Sequence, residues 1–514
     1  MERVRSMTTG RRPPGGRRRL CCLLAACALV IVACAGEDDA AGRAGIAADP
    51  DGSVAGVTDR SPDPANCPLD ALEQADAPVE ITVWHGLVGV PATALEELAG
   101  QYNASQDEVR VRVDAQGDYE ELFAKYAAGA RASGTAALPD VLLAQDTDTR
   151  FLVDSDTVVA ADDCIAADPG AESHYETLAG FVRATYTVDG LLWPAAFGVA
   201  APVLYYDRAH LEQAGLDPDD PPDDLSELRE TAEVIKAIRP EGHPLAFRAA
   251  SWWVENLSTG HGAALVDNDN GRSGLARRSE LHNDTVVEIV EWMADMVDDG
   301  LMKVFANSQV AEAPLSVIRS EADSSSMLID TSSAVTTLDA LLGGEPDSGE
   351  VGQGVDAPEA LDIGVGELPG LSGAGSGQVS GNAWYLVDGG DPERIAAAWN
   401  FLRWVTETPQ QVKWTVQGSY LPVWQGAVED PERQRFSADT RAGRWLEVAR
   451  RSLDSIEPDF PGPLIGPYME LREATGTALE RILIEGRPVG EELTHAEAAF
   501  QSALDDYARD VGGD

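Results

Sequence analysis

Val79-Glu80-Ile81-Thr82-Val83-Trp84, residues 79–84, alternates apolar and polar side chains and is rich in β-branched residues, which predicts a β-strand. Apolar residues at helical spacing follow over 93–102, and a second alternating run occupies 108–113. A further helix is predicted over 119–130, and the apolar run 140–144 predicts a short buried strand. Strand, helix, strand, helix, strand is the order of an open parallel sheet with helices on both faces, which places the chain in the α/β class.

A second region of strands and helices follows, and 514 residues are enough for two such domains. The segment Pro392–Val405 is a predicted helix, because its apolar residues recur at 3.6-residue spacing and Asp391 can cap its start. The C-terminal part of the chain also has mostly helical spacing. The other predicted elements are strands at 202–206, 326–329, 361–365 and 383–387, and helices near 223–237 and 283–298.

The N-terminal segment has the features of an export signal. Three arginines, residues 17–19, precede the apolar run 20–33, which is shorter than the roughly 20 residues that cross a bilayer. We therefore predict a signal peptide over 1–33. The small residues before Cys34 resemble a bacterial lipobox, and this resemblance implies that Cys34 becomes the lipid-modified mature N-terminus at the outer face of the cell membrane. An ordinary signal peptide, in which Cys34 has no role, is the alternative.

Residues 34–66 contain Ala, Gly, Asp, Pro and Ser with almost no large apolar side chain, which predicts a flexible tether. Of the six cysteines, three leave with the signal peptide and Cys34 takes the lipid. Cys67 and Cys164 are left as an even pair in an exported protein, which predicts a disulfide between them. Two free buried thiols are the alternative.

Acidic residues dominate the composition, with 87 Asp and Glu against 38 Lys and Arg. Without the Arg-rich signal the formal charge is about −55. A field of this sign repels nucleic acids and anionic lipid headgroups, and it disfavours a highly anionic ligand. The composition therefore argues against a nucleic-acid-binding protein.

The chain has no Gly-x-Ser-x-Gly, Gly-x-x-x-x-Gly-Lys or His-Glu-x-x-His motif, which argues against the common hydrolase, nucleotidase and metalloprotease classes. Its seven histidines are scattered, and none lies within four residues of another. The run Asp267-Asn268-Asp269-Asn270-Gly271 is similar to part of a calcium loop, but its glycine comes one place early for an EF-hand. We predict no catalytic activity and no cofactor.

Five stretches occur in the order of a known family. Residues 192–196 (LWPAA) precede 202–207 (PVLYYD) and 210–218 (HLEQAGLDP), and residues 396–405 (AAAWNFLRWV) precede Tyr420-Leu421-Pro422. In this order they resemble the extracellular solute-binding proteins of ATP-driven importers, in the carbohydrate-binding branch.

The resemblance implies a periplasmic-binding-protein-like fold of two α/β lobes, joined by a hinge that the chain crosses several times. Ligand would bind between the lobes and pass to membrane permease subunits, and the protein would act as a monomer. We expect the first lobe to comprise 67–200 plus 383–419 and the second lobe 201–382 plus 420–514. We expect crossovers near 200–203, 379–384 and 419–422.

Within the family, the stretches 117–121, 201–206, 255–257 and 418–422 are similar to those of glycerol-phosphate-binding proteins. That subfamily presents an arginine to phosphate just before its final helices, whereas residues 458–467 here contain no Arg or Lys. The predicted function is therefore capture of an uncharged, carbohydrate-like solute. A binder of glycerol-phosphate esters, a secreted carbohydrate-active enzyme and a binding module that feeds a receptor are the alternatives.

Candidate ligand contacts follow from positions that match the family. Sugar-like ligands have apolar ring faces and many hydroxyls, so they bind to flat aromatic side chains and to polar groups. Asp146 follows the strand 140–144 at its carboxyl end, where open sheets bind ligands. Of the adjacent tryptophans at 252 and 253, we expect one in the core and one at the cleft. The candidates are Tyr119, Asp146, Trp252, Trp253, Ser332, Ser333, Gly381, Asn382 and Tyr420.

Overall fold

Two β-sheets organise the protein, each covered by helices. The computed structural model describes residues 60–132, 138–309, 312–318, 324–343, 361–375 and 377–512. The predicted signal peptide, Cys34 and most of the predicted tether lie outside the described residues. Among the described residues, no helix combines the length and apolar character needed to cross a membrane.

The strands are, in chain order, β1 Val79–His85, β2 Val109–Ala115, β3 Val141–Gln145, β4 Val158–Val159, β5 Thr187–Val188, β6 Leu191–Leu192, β7 Ala196–Ala200, β8 Pro202–Asp207, β9 Leu245–Arg248, β10 Met302–Phe305, β11 Met327–Thr331, β12 Ile363–Glu367, β13 Pro369–Gly370, β14 Gly373–Ala374 and β15 Ser380–Val387. The helices of six residues or more are Val90–Ser105, Tyr119–Arg131, Thr149–Asp154, Ala161–Ala167, Gly180–Tyr186, Arg208–Gln213, Leu225–Ile238, Trp252–Gly260, Asp284–Asp298, Glu312–Ile318, Val335–Leu341, Pro392–Val405, Thr408–Gly418, Pro431–Asp439, Arg441–Ser452, Tyr468–Leu483 and Val489–Gly512.

The first sheet has the order β2-β1-β3-β15-β4, and β7 also pairs with β15. Strand β1 runs parallel to both β2 and β3, with Val79 opposite Val109 in the β1–β2 register. This arrangement confirms the strand–helix–strand prediction for the start of the body. Strand β15 enters antiparallel to its neighbours, so the first sheet is mixed.

The second sheet has the order β10-β9-β11-β8-β12. Strands β9, β10 and β11 are parallel, whereas β8 runs antiparallel to β11 and β12. The sequence predicted β8, β11 and β12 but missed β9 and β10. These two strands are only four residues long, and a run of four residues is too short to show a period.

The chain passes from the first sheet to the second through a single residue, Ala201, between β7 and β8. Ser332 holds this crossover, because its hydroxyl accepts from the Ala201 amide at 3.0 Å and its own amide donates to the Ala201 carbonyl at 2.8 Å. The chain has returned to the first sheet by Ser380, which pairs with Ala200, and the Leu421 amide donates to the Val199 carbonyl. Three chain segments therefore run side by side where the two sheets meet.

Several predicted elements are confirmed with small changes at their ends. The helix Pro392–Val405 has the predicted bounds, and the Asp391 side chain caps it by accepting from the Glu393 amide. The acidic run at Asp267 forms a left-handed turn, in which Asn268, Asp269 and Asn270 all have positive φ. Its polar side chains bond to the backbone: the Asn270 side chain, for example, accepts from the Leu265 amide at 3.0 Å.

A disulfide joins Cys67 to Cys164, with the two Cα atoms 5.0 Å apart. It ties the segment before β1 to the helix Ala161–Ala167. Asp163 of that helix reinforces the link, since its carboxylate accepts from the Asp63 amide at 2.7 Å and the Asn66 amide group at 2.9 Å.

Candidate ligand-binding site

Five of the predicted contacts come together at the carboxyl end of β3 and the start of β15. We name Tyr119, Asp146, Gly381, Asn382 and Tyr420 the first-sheet wall. The Tyr119 hydroxyl lies near the Tyr420 hydroxyl and the Asn382 side chain, although without good hydrogen-bond geometry, and the nearby Asp146 carboxylate contributes to raising the pKa of Tyr119. Residues that are 301 positions apart in the sequence are therefore neighbours.

Local structure positions Tyr119 as the first residue of the helix Tyr119–Arg131. Asp118 caps this helix by accepting from the Glu121 amide at 2.9 Å. The loop after β1 approaches the same point, where a Cβ on Gly86 would lie 2.7 Å from the Tyr119 nitrogen. The Tyr119 backbone is therefore held between a helix start and a strand end.

Asp146 lies in the turn that directly follows β3, and the Gly381 amide donates to its carboxylate. Gly381 has a φ of +118°, and a Cβ there would come 2.1 Å from the Gly198 carbonyl oxygen. Both the backbone conformation and the space therefore require glycine at this position. This explains why a glycine stands where β15 brings its backbone to the acid.

Asn382 and Tyr420 are buried, and each is held by a tryptophan. The Trp384 indole nitrogen donates to Asn382 Oδ1 at 2.9 Å, and the Trp414 ring stacks on Tyr420 with centroids 4.7 Å apart. Within the described residues, the Tyr119 hydroxyl and Asn382 Nδ2 have no partner of good hydrogen-bond geometry. The nearby Tyr186 hydroxyl is also buried without such a partner, and the negative charge of Asp146 contributes to raising its pKa. Buried polar atoms without partners are costly, so this wall has hydrogen-bonding capacity for a ligand.

The pKa of Asp146 is raised to about 7, mainly because the carboxyl is buried; the positive charge of Arg472 opposes this shift and the negative charge of Glu255 adds to it. Burial also raises the pKa of Asp148 to about 7, although the Gln145 amide, which donates to that carboxylate, opposes the shift. Both carboxyls therefore titrate near neutral pH.

The opposite side of the site carries an ion pair. We name Glu255, Tyr468 and Arg472 the second-sheet wall, because their helices Trp252–Gly260 and Tyr468–Leu483 pack in the core around the second sheet. Arg472 Nη2 lies 3.1 Å from Glu255 Oε2, and the Tyr468 hydroxyl donates to the same oxygen at 3.1 Å. The helix Tyr468–Leu483 contacts the turn that begins with Asp146, so the two walls face each other.

The space that remains between the walls is small. A cavity of about 20 Å³ is lined by residues of both sides, among them Asp146, Thr185, Gln378 and Tyr468. This volume is close to that of a single water molecule. This cavity would admit a sugar only if its two sides moved apart, as a hinge at the three adjacent crossover segments would allow.

The two predicted tryptophans differ in how deeply they are buried. Trp253 is buried, and its indole nitrogen donates to the Arg248 carbonyl at 3.2 Å. Trp252 is partly exposed and stacks on Trp253, with ring centroids 3.9 Å apart. Trp252 is thus the more exposed member of the pair, and its contact with ligand stays a prediction.

The predicted serines lie in the turn after β11. Ser332 is buried and holds the crossover at Ala201, so its hydroxyl is already engaged. Ser333 is partly exposed and bonds to Thr331. The helix Val335–Leu341, which follows this turn, contacts the residue before Tyr420, because the Thr336 amide donates to the hydroxyl of Ser419 at 2.9 Å. Ligand contact by either serine stays a prediction.

The sequence reasoning missed the charged residues of the site, Arg472, Glu255 and Arg272. The segment 458–467 contains no cation, whereas Arg472 lies five residues beyond it, one helical turn after Tyr468. Arg272 approaches from the turn at Asp267 and donates to the Gly462 carbonyl at 2.7 Å. The i, i+4 spacing of Tyr468 and Arg472 was the available signal, but a Tyr–Arg pair on a helix is too common to identify a site.

Comparisons with known proteins bear on the family and the fold. The sequence model of a family described as bacterial extracellular solute-binding protein matches residues 97–441. The sn-glycerol-3-phosphate-binding periplasmic protein UgpB of Yersinia pestis is 25% identical over 424 residues, which cover 79% of this chain and 88% of that relative. The protein of the same name from Brucella abortus is 25% identical over 371 residues, covering 71% of this chain and 79% of that relative.

Two solved structures are similar in fold. The GacH receptor of Streptomyces glaucescens, solved unliganded and with acarbose, superposes with a TM-score of 0.67 at 18% identity, covering 84% of this chain and 100% of that chain. UgpB of Mycobacterium tuberculosis with glycerophosphocholine gives 0.65 at 20% identity, covering 84% and 99%. The predicted two-lobed α/β fold is confirmed by these matches, whereas the predicted lobe boundaries stay a prediction. Because the family model spans about two thirds of the sequence, the chain belongs to the bacterial extracellular solute-binding proteins.

Proposed function

We propose that this protein captures an uncharged, carbohydrate-like solute between its two walls and delivers it, chemically unchanged, to the permease of an ABC importer. The lipid on Cys34 would hold the protein at the outer face of the membrane, and the tether would give the binding body reach. The protein would act as a monomer without a cofactor.

The observation that carries this proposal is the set of unsatisfied buried polar atoms around Asp146. The Tyr119 hydroxyl, the Tyr186 hydroxyl and Asn382 Nδ2 have no partner of good geometry in the described part of the chain. Phenol, amide and carboxylate groups together match the mixed donors and acceptors of sugar hydroxyls. The flat rings of Tyr119 and Tyr420 suit the apolar face of a sugar ring.

A second candidate ligand is a glycerol-phosphate ester, because the relatives from Yersinia pestis and Brucella abortus are named for sn-glycerol 3-phosphate. The charges of the site favour the uncharged solute. Arg472 is already paired with Glu255, and Arg272 donates to backbone carbonyls, among them those of Gly462 and Thr185. A phosphate would also enter beside the Asp146 carboxyl, whose charged form repels it.

Ligand-induced shifts in melting temperature distinguish the candidates, because a ligand that binds the folded state raises the melting temperature with concentration. We expect shifts with neutral mono- and oligosaccharides or polyols and none with sn-glycerol 3-phosphate or glycerophosphocholine. Tyr119→Phe should reduce the shift, whereas Tyr126→Phe, which removes a hydroxyl bonded to Thr157 away from the site, should keep it. A melting-temperature shift with phosphate esters alone would show that the ligand is a phosphate ester and contradict the proposed ligand. Accumulation of cleaved sugar would show that the protein is an enzyme.

A further inference from the structure

The Glu255 carboxylate has an unusually complete set of partners for a buried acid. It is 1% exposed, and both of its oxygens are used. Ser251 donates to Oε1 at 2.7 Å, Gln378 donates to Oε2 at 3.4 Å, and the Tyr468 hydroxyl donates to Oε2 at 3.1 Å. Arg472 adds Nε at 3.3 Å from Oε1 and Nη2 at 3.1 Å from Oε2. The side chain is therefore fixed in one orientation, against the guanidinium.

The Arg472 guanidinium, in turn, interacts with acidic side chains of the site. Burial alone would lower its pKa, but Glu255 and Asp146 raise the pKa of Arg472 above its usual value. Its guanidinium also lies over the Tyr468 ring, 5.3 Å from the ring centroid. Because the single positive charge of Arg472 is shared between two carboxylates, Arg472 contributes no excess positive charge to the site.

We propose that Glu255 determines the charge specificity of the site: by pairing with Arg472 it withholds this guanidinium from anionic ligands, so that the site accepts uncharged polyols and rejects their phosphate esters. This inference deepens the proposed function and rests on it for the position of the ligand. A guanidinium is well shaped for bidentate binding to phosphate as well as to carboxylate, so the internal carboxylate occupies the place that a phosphate would take.

Glu255→Gln tests this idea because it removes the charge and keeps the shape. Glutamine keeps one acceptor oxygen, which can accept from either Ser251 or Tyr468, whereas its amide nitrogen replaces the other acceptor. Arg472 then has only Asp146 as an acidic partner in this network, and its guanidinium becomes available. A bound phosphate would supply the missing negative charge.

The experiment uses the whole protein and three probes, which are sn-glycerol 3-phosphate, inorganic phosphate and glycerol. Calorimetry or thermal shift at low ionic strength gives their dissociation constants. Relative to wild type, we expect Glu255→Gln to bind sn-glycerol 3-phosphate at least tenfold more tightly, with inorganic phosphate following in the same direction and glycerol unchanged. The gain should shrink as salt is added, because it is electrostatic.

Two further variants control the result. The double variant Glu255→Gln/Arg472→Gln should lose the gain, because the guanidinium is gone. Glu492→Gln is the matched control, since Glu492 is also a buried acid that pairs with arginines, Arg481 at 3.2 Å and Arg487 at 3.4 Å, outside the two walls. It should leave binding of all three probes unchanged.

The inference is overturned if wild type already binds sn-glycerol 3-phosphate as tightly as Glu255→Gln, or if Glu255→Gln gains nothing. A gain that persists without Arg472, or one that also appears in Glu492→Gln, overturns it as well. If Glu255→Gln does not fold, Glu255→Asp is tested in its place. We expect a smaller gain in affinity for sn-glycerol 3-phosphate, and the same outcomes would overturn the inference. Failure of wild type to bind any neutral sugar or polyol would contradict the proposed function instead, which separates the two claims.

Discussion

The two walls of the site differ in whether their buried polar groups have hydrogen-bond partners. On the first-sheet wall, the Tyr119 hydroxyl and Asn382 Nδ2 are buried without partners of good geometry. On the second-sheet wall, the Glu255 carboxylate is buried with partners on both oxygens. A polar atom without a partner is a place where a ligand gains binding energy, whereas a satisfied ion pair resists replacement. Under the two proposals above, the first-sheet wall would supply hydrogen bonds to the ligand and the second-sheet wall would control its charge.

The crossovers make this division possible. Gly381 and Asn382 begin β15 in the first sheet, directly after the chain has returned from the second. Gly381 and Asn382 therefore lie at a crossover, whereas Arg472 is carried on a helix of the core around the second sheet. Closure of the proposed hinge would bring Arg472 towards Asp146, and the attraction between the guanidinium and the charged form of this carboxyl would favour the closed arrangement.

The largest expected effect is on the second-sheet wall. Arg472→Gln leaves Glu255 buried without its cation, and breaking a buried ion pair from one side costs about 3–5 kcal/mol. We expect the free energy of unfolding in urea to fall by about this amount, and the fall should be smaller in the double variant Glu255→Gln/Arg472→Gln.

The control for that experiment is Arg278→Gln. Arg278 pairs with Glu280 at 2.8 Å, but its side chain is 67% exposed. Loss of an exposed pair changes stability by about 0–1 kcal/mol. Equal losses in Arg472→Gln and Arg278→Gln would show that the second-sheet wall is no more than a surface ion pair.

A medium effect is expected on the first-sheet wall, and it should separate binding from stability. Tyr119→Phe removes a buried hydroxyl that has no good partner, so unfolding should be unchanged or slightly harder. Affinity for the neutral ligand should fall roughly tenfold, because one hydrogen bond to the ligand is lost. Calorimetry and urea unfolding of the same samples measure both quantities.

Tyr126→Phe should show the reverse pattern. Its hydroxyl bonds to Thr157 at 2.7 Å in the interior, so its loss should cost about 1 kcal/mol of stability and leave affinity unchanged. If Tyr119→Phe lowers the free energy of unfolding but leaves the affinity for ligand unchanged, Tyr119 stabilises the fold and does not bind ligand. That result would contradict the proposed difference between the two walls.

The smallest effect concerns pH. Burial raises the pKa of Asp146 to about 7 in the folded protein, whereas an unfolded aspartate titrates near 4. Between these values the folded state holds more protons than the unfolded state, so stability falls as pH rises from about 4 to about 7. Asp148 shares this behaviour. We expect Asp146→Asn to reduce the slope of unfolding free energy against pH without abolishing it, and an unchanged slope would contradict the burial of Asp146.

The sequence alone predicted the α/β class, the family resemblance and most elements of the first sheet, because these depend on local periodicity. Alternation in β1 and helical spacing in Pro392–Val405 come from neighbours within a few residues, and the structure confirms both. Positions such as Gly381 and Tyr420 could be identified because each stands in a recognisable stretch at a chain crossover.

Only the tertiary structure revealed the charges of the site. Glu255 and Arg472 are 217 residues apart, and nothing in either local sequence indicates that the two side chains meet. Their pairing depends on how two helices pack around the second sheet, and the raised pKa of Asp146 depends in turn on burial between both walls. Local sequence determines which residues are available to bind a solute, whereas the long-range packing of the two lobes determines which charges remain free to meet it.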